Sequence, residues 1–417
     1  MKKVIVGLVV MLSISLHAQG AKIDKGVNKV VMILVDGIAT DQFYKANTSS
    51  IDAMTKTGAF SEAYVGGRKG GYSETPTISA VGYNSMLTGT WSNKHNVLDN
   101  AIAQPNYNYP TIFRVLKDAY PNKKTAIYSS WLDNRTKLVG EGLPQTNNMQ
   151  MDYHFDGLEL DKKRFPHDSL NKYLKRIDAE VAREAANNIY ETGPDLSWVY
   201  LEHSDDMGHI YGDSPELYST IAYEDALIGL IADAVKLREK ETGEHWLVIV
   251  TTDHGRMPAD GKHHGGQSYR ERSTWIAMNK PTTNDYFKNN TVAIVDIFPT
   301  ICDFMDIPLP DETAYELDGV SLTKKVDIYD LEGFCFNEKF LKLKWLTTAN
   351  ESEKAKILVS YTNGKKEGKK DTYTLLGETD IQNKEFNGTV KPNKAFKYMK
   401  IVMQTKNQIT NTWVKTN

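Results

Sequence analysis

Four clusters of acidic and histidine side chains lie ahead of residue 270: Asp36, Asp205 with His209, Asp253 with His254, and the pair His263 and His264. Carboxylate oxygens and imidazole nitrogens suit hard-to-borderline divalent cations. Asp205 and His209 are four residues apart, so in a helical turn both face one way and can clasp one cation. Asp253 and His254 are adjacent where a strand should end, and Asp36 offers a carboxylate from a separate strand. The loop Gly261–Gly266 (GKHHGG) adds two imidazoles. Each cluster alone reads as a helix cap or a satisfied polar residue. Together they point to a pair of divalent metals and to hydrolysis of phosphoryl or related esters.

A hydroxyl completes the set. Thr75–Gly89 (TPTISAVGYNSMLTG) opens on a Pro-punctuated turn and continues as a helix from Ser79 to Leu87. Ser79 would then sit at a helix N-terminus, where the dipole and free N–H groups favour an anionic phosphate. By itself such a serine reads as a cap. Beside a metal pair it reads as the nucleophile, because a metal lowers the hydroxyl's pKa and holds it for in-line attack.

The elements that must position these groups follow from hydrophobic patterning. Val27–Val35 (VNKVVMILV) is apolar and β-branched, as a strand buried on both faces of a parallel sheet should be. Leu196–Leu201 and Trp246–Val250 read likewise, and each of the three runs ends at one of the acidic clusters. The intervening stretches Leu170–Tyr190 and Pro215–Glu239 carry apolar residues at helical spacing. Alternating helix and buried strand implies an α/β fold: a mostly parallel central sheet flanked by helices, with ligands at the carboxyl ends of its strands. After Leu322 short strand-like runs alternate with Asn, Gly and Lys turns, which implies a small C-terminal β-sandwich. The expected organisation is a signal peptide over 1–20, a metal-dependent phosphoesterase domain over 21–326 and the sandwich over 327–417. Trp345 and Trp413 fall in the sandwich, where core packing is the expected role.

The remaining composition narrows the classes. With 40% hydrophobic and 25% charged residues the chain is ordinary for a globular protein, and a net charge of -3 gives no basic footprint for a nucleic-acid polymer. Lys2 and Lys3 precede the apolar run Val4–Leu16, too short to span a bilayer comfortably, and small or polar residues follow. That is a cleavable signal peptide, predicting a periplasmic or secreted protein with no stable membrane anchor. The two cysteines, Cys302 and Cys335, are expected as thiols rather than a disulfide.

At the chemistry-bearing residues the chain resembles the alkaline phosphatase superfamily, specifically its nucleotide pyrophosphatase/phosphodiesterase-like branch. The likeness spans roughly residues 27–322. Asp36-Gly37 matches that family's strand-ending Asp-Gly. Pro76-Thr77-Ile78-Ser79, with Thr88-Gly89 beginning nine residues after the serine, matches its nucleophile segment. Asp205-x-x-Gly208-His209-x-x-Gly212, Asp253-His254-Gly255 and His264-Gly265 match its metal motifs, and Lys94-His95-Asn96 leads to Asn100 as its turn leads to an asparagine. The resemblance implies one metal on Asp205, His209 and His264, and a second on Asp36, Asp253 and His254, with Ser79 bridging or adjoining it. It prefers His264 over His263, because the family pattern is His followed by Gly. It implies Asn100 as a donor to a non-bridging oxygen. Zinc is the metal it favours, in keeping with Asp/His ligation that lacks cysteine.

The departures bear on substrate. Where that branch commonly places Phe-Pro-Asn-His after its nucleophile, this chain has Ala80-Val81-Gly82-Tyr83, which argues against nucleobase stacking there. No Cys/Ser-x-Pro-x-Arg motif is present, which argues against a formylglycine sulfatase. The expected activity is a type I phosphodiesterase-like hydrolysis of a small-molecule phosphate ester or diester through a phosphoseryl intermediate. An alkaline phosphomonoesterase, for which Arg135 or Lys137 would supply the extra cation, and a phosphonate or sulfate ester hydrolase are the enzymatic alternatives. Trp131 and His154 are candidates to line the substrate cavity. A glycan-binding protein on a degenerate hydrolase scaffold is the non-enzymatic alternative.

Overall fold

The computed structural model describes residues 27–391 and 397–416. The signal peptide expected over 1–20 lies outside the described residues. Eight strands form the central sheet: β1 (Asn28–Val35), β2 (Ala59–Tyr64), β3 (Thr125–Ser129), β4 (Tyr153–Phe155), β5 (Leu196–Leu201), β6 (His245–Thr251), β7 (Ser273–Met278) and β8 (Val292–Ala293). Their spatial order is β4-β3-β5-β1-β6-β7-β2-β8. All neighbours pair in parallel except β7, which runs antiparallel to both β6 and β2. The α/β architecture expected from the alternating pattern is therefore present.

β1 is the clearest case of sequence dictating position. Its side chains alternate between two cores: Val30, Met32 and Leu34 enter one, and Val31, Ile33 and Val35 enter the other. A strand buried on both faces must be apolar at every such position, and this one is. The helices Lys172–Glu191 and Pro215–Thr242 cover one face, burying Leu174, Ile177, Val181 and Ile189 with Leu217, Ile221, Ile228 and Ile231. The helices Ser79–Thr88, Ile112–Ala119 and Ile297–Phe304 cover the other. Two bounds differ from those expected. The first long helix begins at Lys172 because the Asp168 carboxylate accepts from the backbone N–H groups of Leu170, Lys172 and Tyr173, shaping a turn ahead of it. The second continues to Thr242, where Gly243 closes it in the left-handed conformation at φ 74°.

The C-terminal part consists of two antiparallel sheets. β9 (Tyr329–Phe336), β10 (Phe340–Leu346) and β13 (Glu385–Thr389) form one; β11 (Lys354–Ser360), β12 (Thr374–Asp380), β14 (Tyr398–Gln404) and β15 (Ile409–Lys415) form the other. Leu341, Leu343 and Trp345 pack with Ile357, Val359, Met399, Ile401 and Val414 in their shared core. Trp345 is 2% exposed and its indole N–H donates to the Ile381 carbonyl at 2.8 Å. It is a core residue, not a stacking platform. Trp345→Ala is expected to cost about 3–5 kcal/mol through the cavity and the lost hydrogen bond. A fall in the thermal midpoint, with the strand signal of this part lost first, would register it; an unchanged midpoint would contradict the packing described.

The two parts meet at several polar and aromatic contacts. Lys94, almost fully buried, donates to Glu316 O at 2.7 Å, Asp318 Oδ1 at 2.6 Å and Asn411 Oδ1 at 3.1 Å. Tyr72 stacks on Tyr398 with ring centroids 4.2 Å apart and meets the half-buried Trp413 edge-on at 5.2 Å. Trp413 therefore packs at this junction rather than in the sandwich core. Both cysteines are free thiols, as expected, and burial pushes the Cys302 thiol up from its ordinary range. Among the described residues no helix is long and apolar enough to cross a membrane.

Candidate active site

Three adjacent strands deliver the carboxylates. β5, β1 and β6 are neighbours, and their register sets Val35 opposite Leu201 and Leu34 opposite Thr251. Asp36, Asp205 and Asp253 thus emerge at one edge of the sheet, where ligands of such sheets bind. Asp205 and His209 stand on the helix His203–Tyr211 that follows β5, one turn apart as their spacing predicted.

The six residues gather into two groups whose ligand atoms lie within 4.8 Å of one another: Asp36, Asp253 and His254, all buried, and Asp205, His209 and His264, more open. In the first, His254 Nε2 is 3.4 Å from Asp36 Oδ1 and 3.3 Å from Asp253 Oδ2. In the second, His209 Nε2 is 3.2 Å from Asp205 Oδ2 and 3.1 Å from His264 Nε2. The groups adjoin, for the His254 and His264 rings stack at 3.7 Å. His263 is exposed and falls outside both groups.

The donor set fits divalent cations on two observations. Asp36 Oδ1 and Asp253 Oδ2 are buried yet accept no hydrogen bond among the described residues, an arrangement costly without a cation. The imidazoles are oriented as metal-binding histidines are: His254 Nδ1 faces its neighbour's carbonyl, Gly255 O, at 2.9 Å, and His264 Nδ1 faces Thr77 O at 2.9 Å. With each Nδ1–H donating to a carbonyl, the Nε2 lone pairs are left for the site.

Electrostatics point the same way. Burial, reinforced by the charges of Asp253 and Asp205, raises the Asp36 carboxyl well above its ordinary range. Burial likewise raises Asp253 to about 7. At Asp205 burial acts upward too, but the Arg256 charge and the His209 hydrogen bond outweigh it, and the net shift is down. Burial pulls the His254 imidazole down, with His264 adding to the effect, so it is neutral and able to ligate.

Ser79 is the first residue of its helix and is 6% exposed. Its Oγ lies 3.3 Å from His254 Nε2, beside the first group. It does not cap the helix: the N-cap is Ile78, with no side-chain cap bond. Asn100 does that work from a distance, its Oδ1 accepting from the N–H of Ala80, the residue after Ser79, at 3.0 Å. The turn leading to Asn100 is fixed by Lys94 and by His95, which is buried against Ser85 Oγ at 3.1 Å and pushed down to about 3 by burial. Gly82, one turn on, allows the helix to touch the end of β6; a Cβ there would come within 2.8 Å of Asp253.

Several supporting residues escaped the sequence reading. Tyr83 and Tyr200 both donate to Asp36 Oδ2, Tyr200 at 2.7 Å, leaving Oδ1 for the site. The four-residue step from Ser79 to Tyr83 was a usable signal, since it puts both on one helix face. Arg256 gave none. The cations held in reserve for a monoesterase are engaged elsewhere: Arg135 grips Asp156 through Nε at 2.6 Å and Nη2 at 2.9 Å and also pairs with Glu141, while Lys137 pairs with Asp133 at 2.7 Å. Trp131 reaches the site's flank, its ring edge-on to Tyr83 at 6.5 Å. His154 does not: it is exposed on the edge strand β4, three strands from β1.

The sequence profile of the family described as type I phosphodiesterase / nucleotide pyrophosphatase matches residues 30–300. The chain belongs to that family. The match takes in every residue of both groups together with Ser79 and Asn100. GPI ethanolamine phosphate transferase 2 of Schizosaccharomyces pombe is 29% identical over 130 residues, 28% of this chain and 16% of that protein. Arylsulfatase K of Canis lupus familiaris is 32% identical over 108 residues, 25% of this chain and 19% of that protein. Only a minor part of either relative therefore has a counterpart in this phosphodiesterase-family chain. Among solved structures, murine ectonucleotide pyrophosphatase / phosphodiesterase 5 superposes with a TM-score of 0.47 at 14% identity, over 68% of this chain and 96% of that one.

Proposed function

We propose that this chain is an exported, two-metal phosphodiesterase that works through a phosphoseryl intermediate on Ser79. The observation that carries the reading is the placement of Ser79 Oγ at a helix N-terminus, 3.3 Å from His254 Nε2 and beside buried carboxylate oxygens that accept no hydrogen bond among the described residues. Asp36, Asp253 and His254 would hold one divalent cation and Asp205, His209 and His264 the other, with zinc as the expected pair. When bound, such cations supply a lowered hydroxyl pKa and neutralise charge on the leaving oxygen.

The chain's own groups do the rest. Ser79 Oγ, its proton released, forms the new bond to phosphorus while one ester oxygen departs with the electron pair of its P–O bond, and water later cleaves the phosphoseryl ester, which still carries the second substituent. Asn100, oriented by its bond from Ala80 N, donates Nδ2 to a non-bridging oxygen as charge builds there. The helix Ser79–Thr88 directs its positive end at the same phosphoryl group. Tyr83 and Tyr200 hold Asp36 in a single orientation.

The preference for a diester follows from charge. A monoester brings one more negative charge than a diester, and the candidate cations Arg135 and Lys137 are already paired with acids. Asn100 is a neutral donor suited to the smaller charge. Bis-p-nitrophenyl phosphate should therefore be turned over at least about tenfold more efficiently than p-nitrophenyl phosphate. The opposite ranking would favour a monoesterase, and inertness toward both with metal bound would reject the phosphoesterase reading. Export rests on the leader read in residues 1–20.

A further inference from the structure

The two ligand groups differ in charge and in cover. Asp36, Asp253 and His254 bring two carboxylates and are all buried, whereas Asp205, His209 and His264 bring one carboxylate and include an exposed histidine. Arg256, outside both groups, widens the difference. It has no exposed surface. Its Nη2 lies 2.7 Å from Asp205 Oδ1 and donates to Asp205 O at 2.9 Å, and its Nε donates to Gly37 O at 2.8 Å.

The backbone is shaped around this guanidinium. A Cβ on Gly208 would come within 2.3 Å of Nη2, and one on Gly37 within 2.5 Å of it. Gly37 also adopts φ 67°, so glycine serves two needs there. An arginine does not lose its proton inside a protein, so its charge is a permanent feature of the Asp205 group. With Arg256 counted, that group is formally neutral, while the Asp36 group, once both carboxyls are ionised for ligation, carries two negative charges. Buried charges this close are little screened by salt.

We propose that Arg256 sets an order of affinity between the two metal positions, making the one at Asp205, His209 and His264 the weaker and more exchangeable. The inference rests on the two-metal reading above. A cation at that position meets the positive guanidinium across a single carboxylate. A cation at the other meets two carboxylates and, among the described residues, no arginine paired with either. The weaker position is also the one with solvent access through His209, so its occupancy would follow the free metal concentration around the protein.

Titrating metal-free protein with Co2+ against a competing chelator, read by absorption and calorimetry, tests this without any assay of turnover. Wild type should bind in two steps separated by at least about tenfold in affinity, and His209→Ala should delete the weaker one. Arg256→Met removes the charge and should tighten the weaker step by about tenfold or more, drawing the two together. Arg256→Lys keeps the charge without the planar fork and should leave them apart. Arg256→Gln provides a second charge-free variant should the methionine protein not fold. A merely structural arginine predicts the reverse, a weaker site in the charge-free variants. That outcome, an unchanged affinity, or equal steps in wild type would overturn the proposal. A folded wild type that binds no metal would instead sink the two-metal reading itself.

Discussion

Ser79→Ala is expected to lower turnover of bis-p-nitrophenyl phosphate by on the order of 10⁴-fold or more, because the covalent route disappears with the nucleophile. The prediction is clean because Ser79 has little else to do. Its side chain makes no cap bond, and the helix N-terminus is served by Asn100 through Ala80 N. Alanine fits the same helical position and is the best helix former. Circular dichroism and metal content should therefore match wild type, separating lost chemistry from lost fold. Acid-quenched wild type should carry a p-nitrophenyl phosphoryl group on Ser79, and the variant none. Unimpaired turnover by a folded Ser79→Ala protein would remove the covalent mechanism and restore the serine to a structural role.

Stripping the metals should have an effect as large on turnover and a second effect on stability. Chelation should take activity to background, and zinc should restore it. The stability effect follows because Asp36 and Asp253 are buried with no arginine or lysine pairing them among the described residues, and their free oxygens face His254. Each position filled at a hundredfold its Kd adds about 2.7 kcal/mol to the folded state. The thermal midpoint of metal-free protein should lie clearly below that of reconstituted protein. Full activity in protein shown by elemental analysis to be free of metal would defeat the reading.

The residues of the two groups were legible because strand endings are local events. A run such as Val27–Val35 can stay apolar only while both faces are buried, and it stops at Asp36-Gly37 where the chain leaves the sheet. Asp205 and His209 needed only helical spacing, and Ser79 only a Pro-punctuated helix start. The resemblance then preferred His264 to His263; in the fold His264 Nε2 lies 3.1 Å from His209 Nε2, while His263 is exposed.

What could not be read were the side chains that approach from distant segments. Arg256 appears in the sequence as one more charged residue in a loop, yet it spans Gly37 and Asp205. Lys94 looked like part of a turn motif and proved to be a buried tie to Asp318 and Asn411. Arg135 looked free to meet a phosphate and is held by Asp156 and Glu141.

The acidic and histidine groups, the strand ends that carry them, the mostly parallel sheet and the family resemblance were all legible in the order of residues. Each depends on burial periodicity or on short spacings within one segment. Folding had to settle the rest: that β5, β1 and β6 are neighbours in register, that Tyr83 and Tyr200 converge on Asp36, and that Arg256 pairs with the one carboxylate of the Asp205 group. Strand order and cross-strand reach join residues tens to hundreds of positions apart, and no local pattern records which of them will meet.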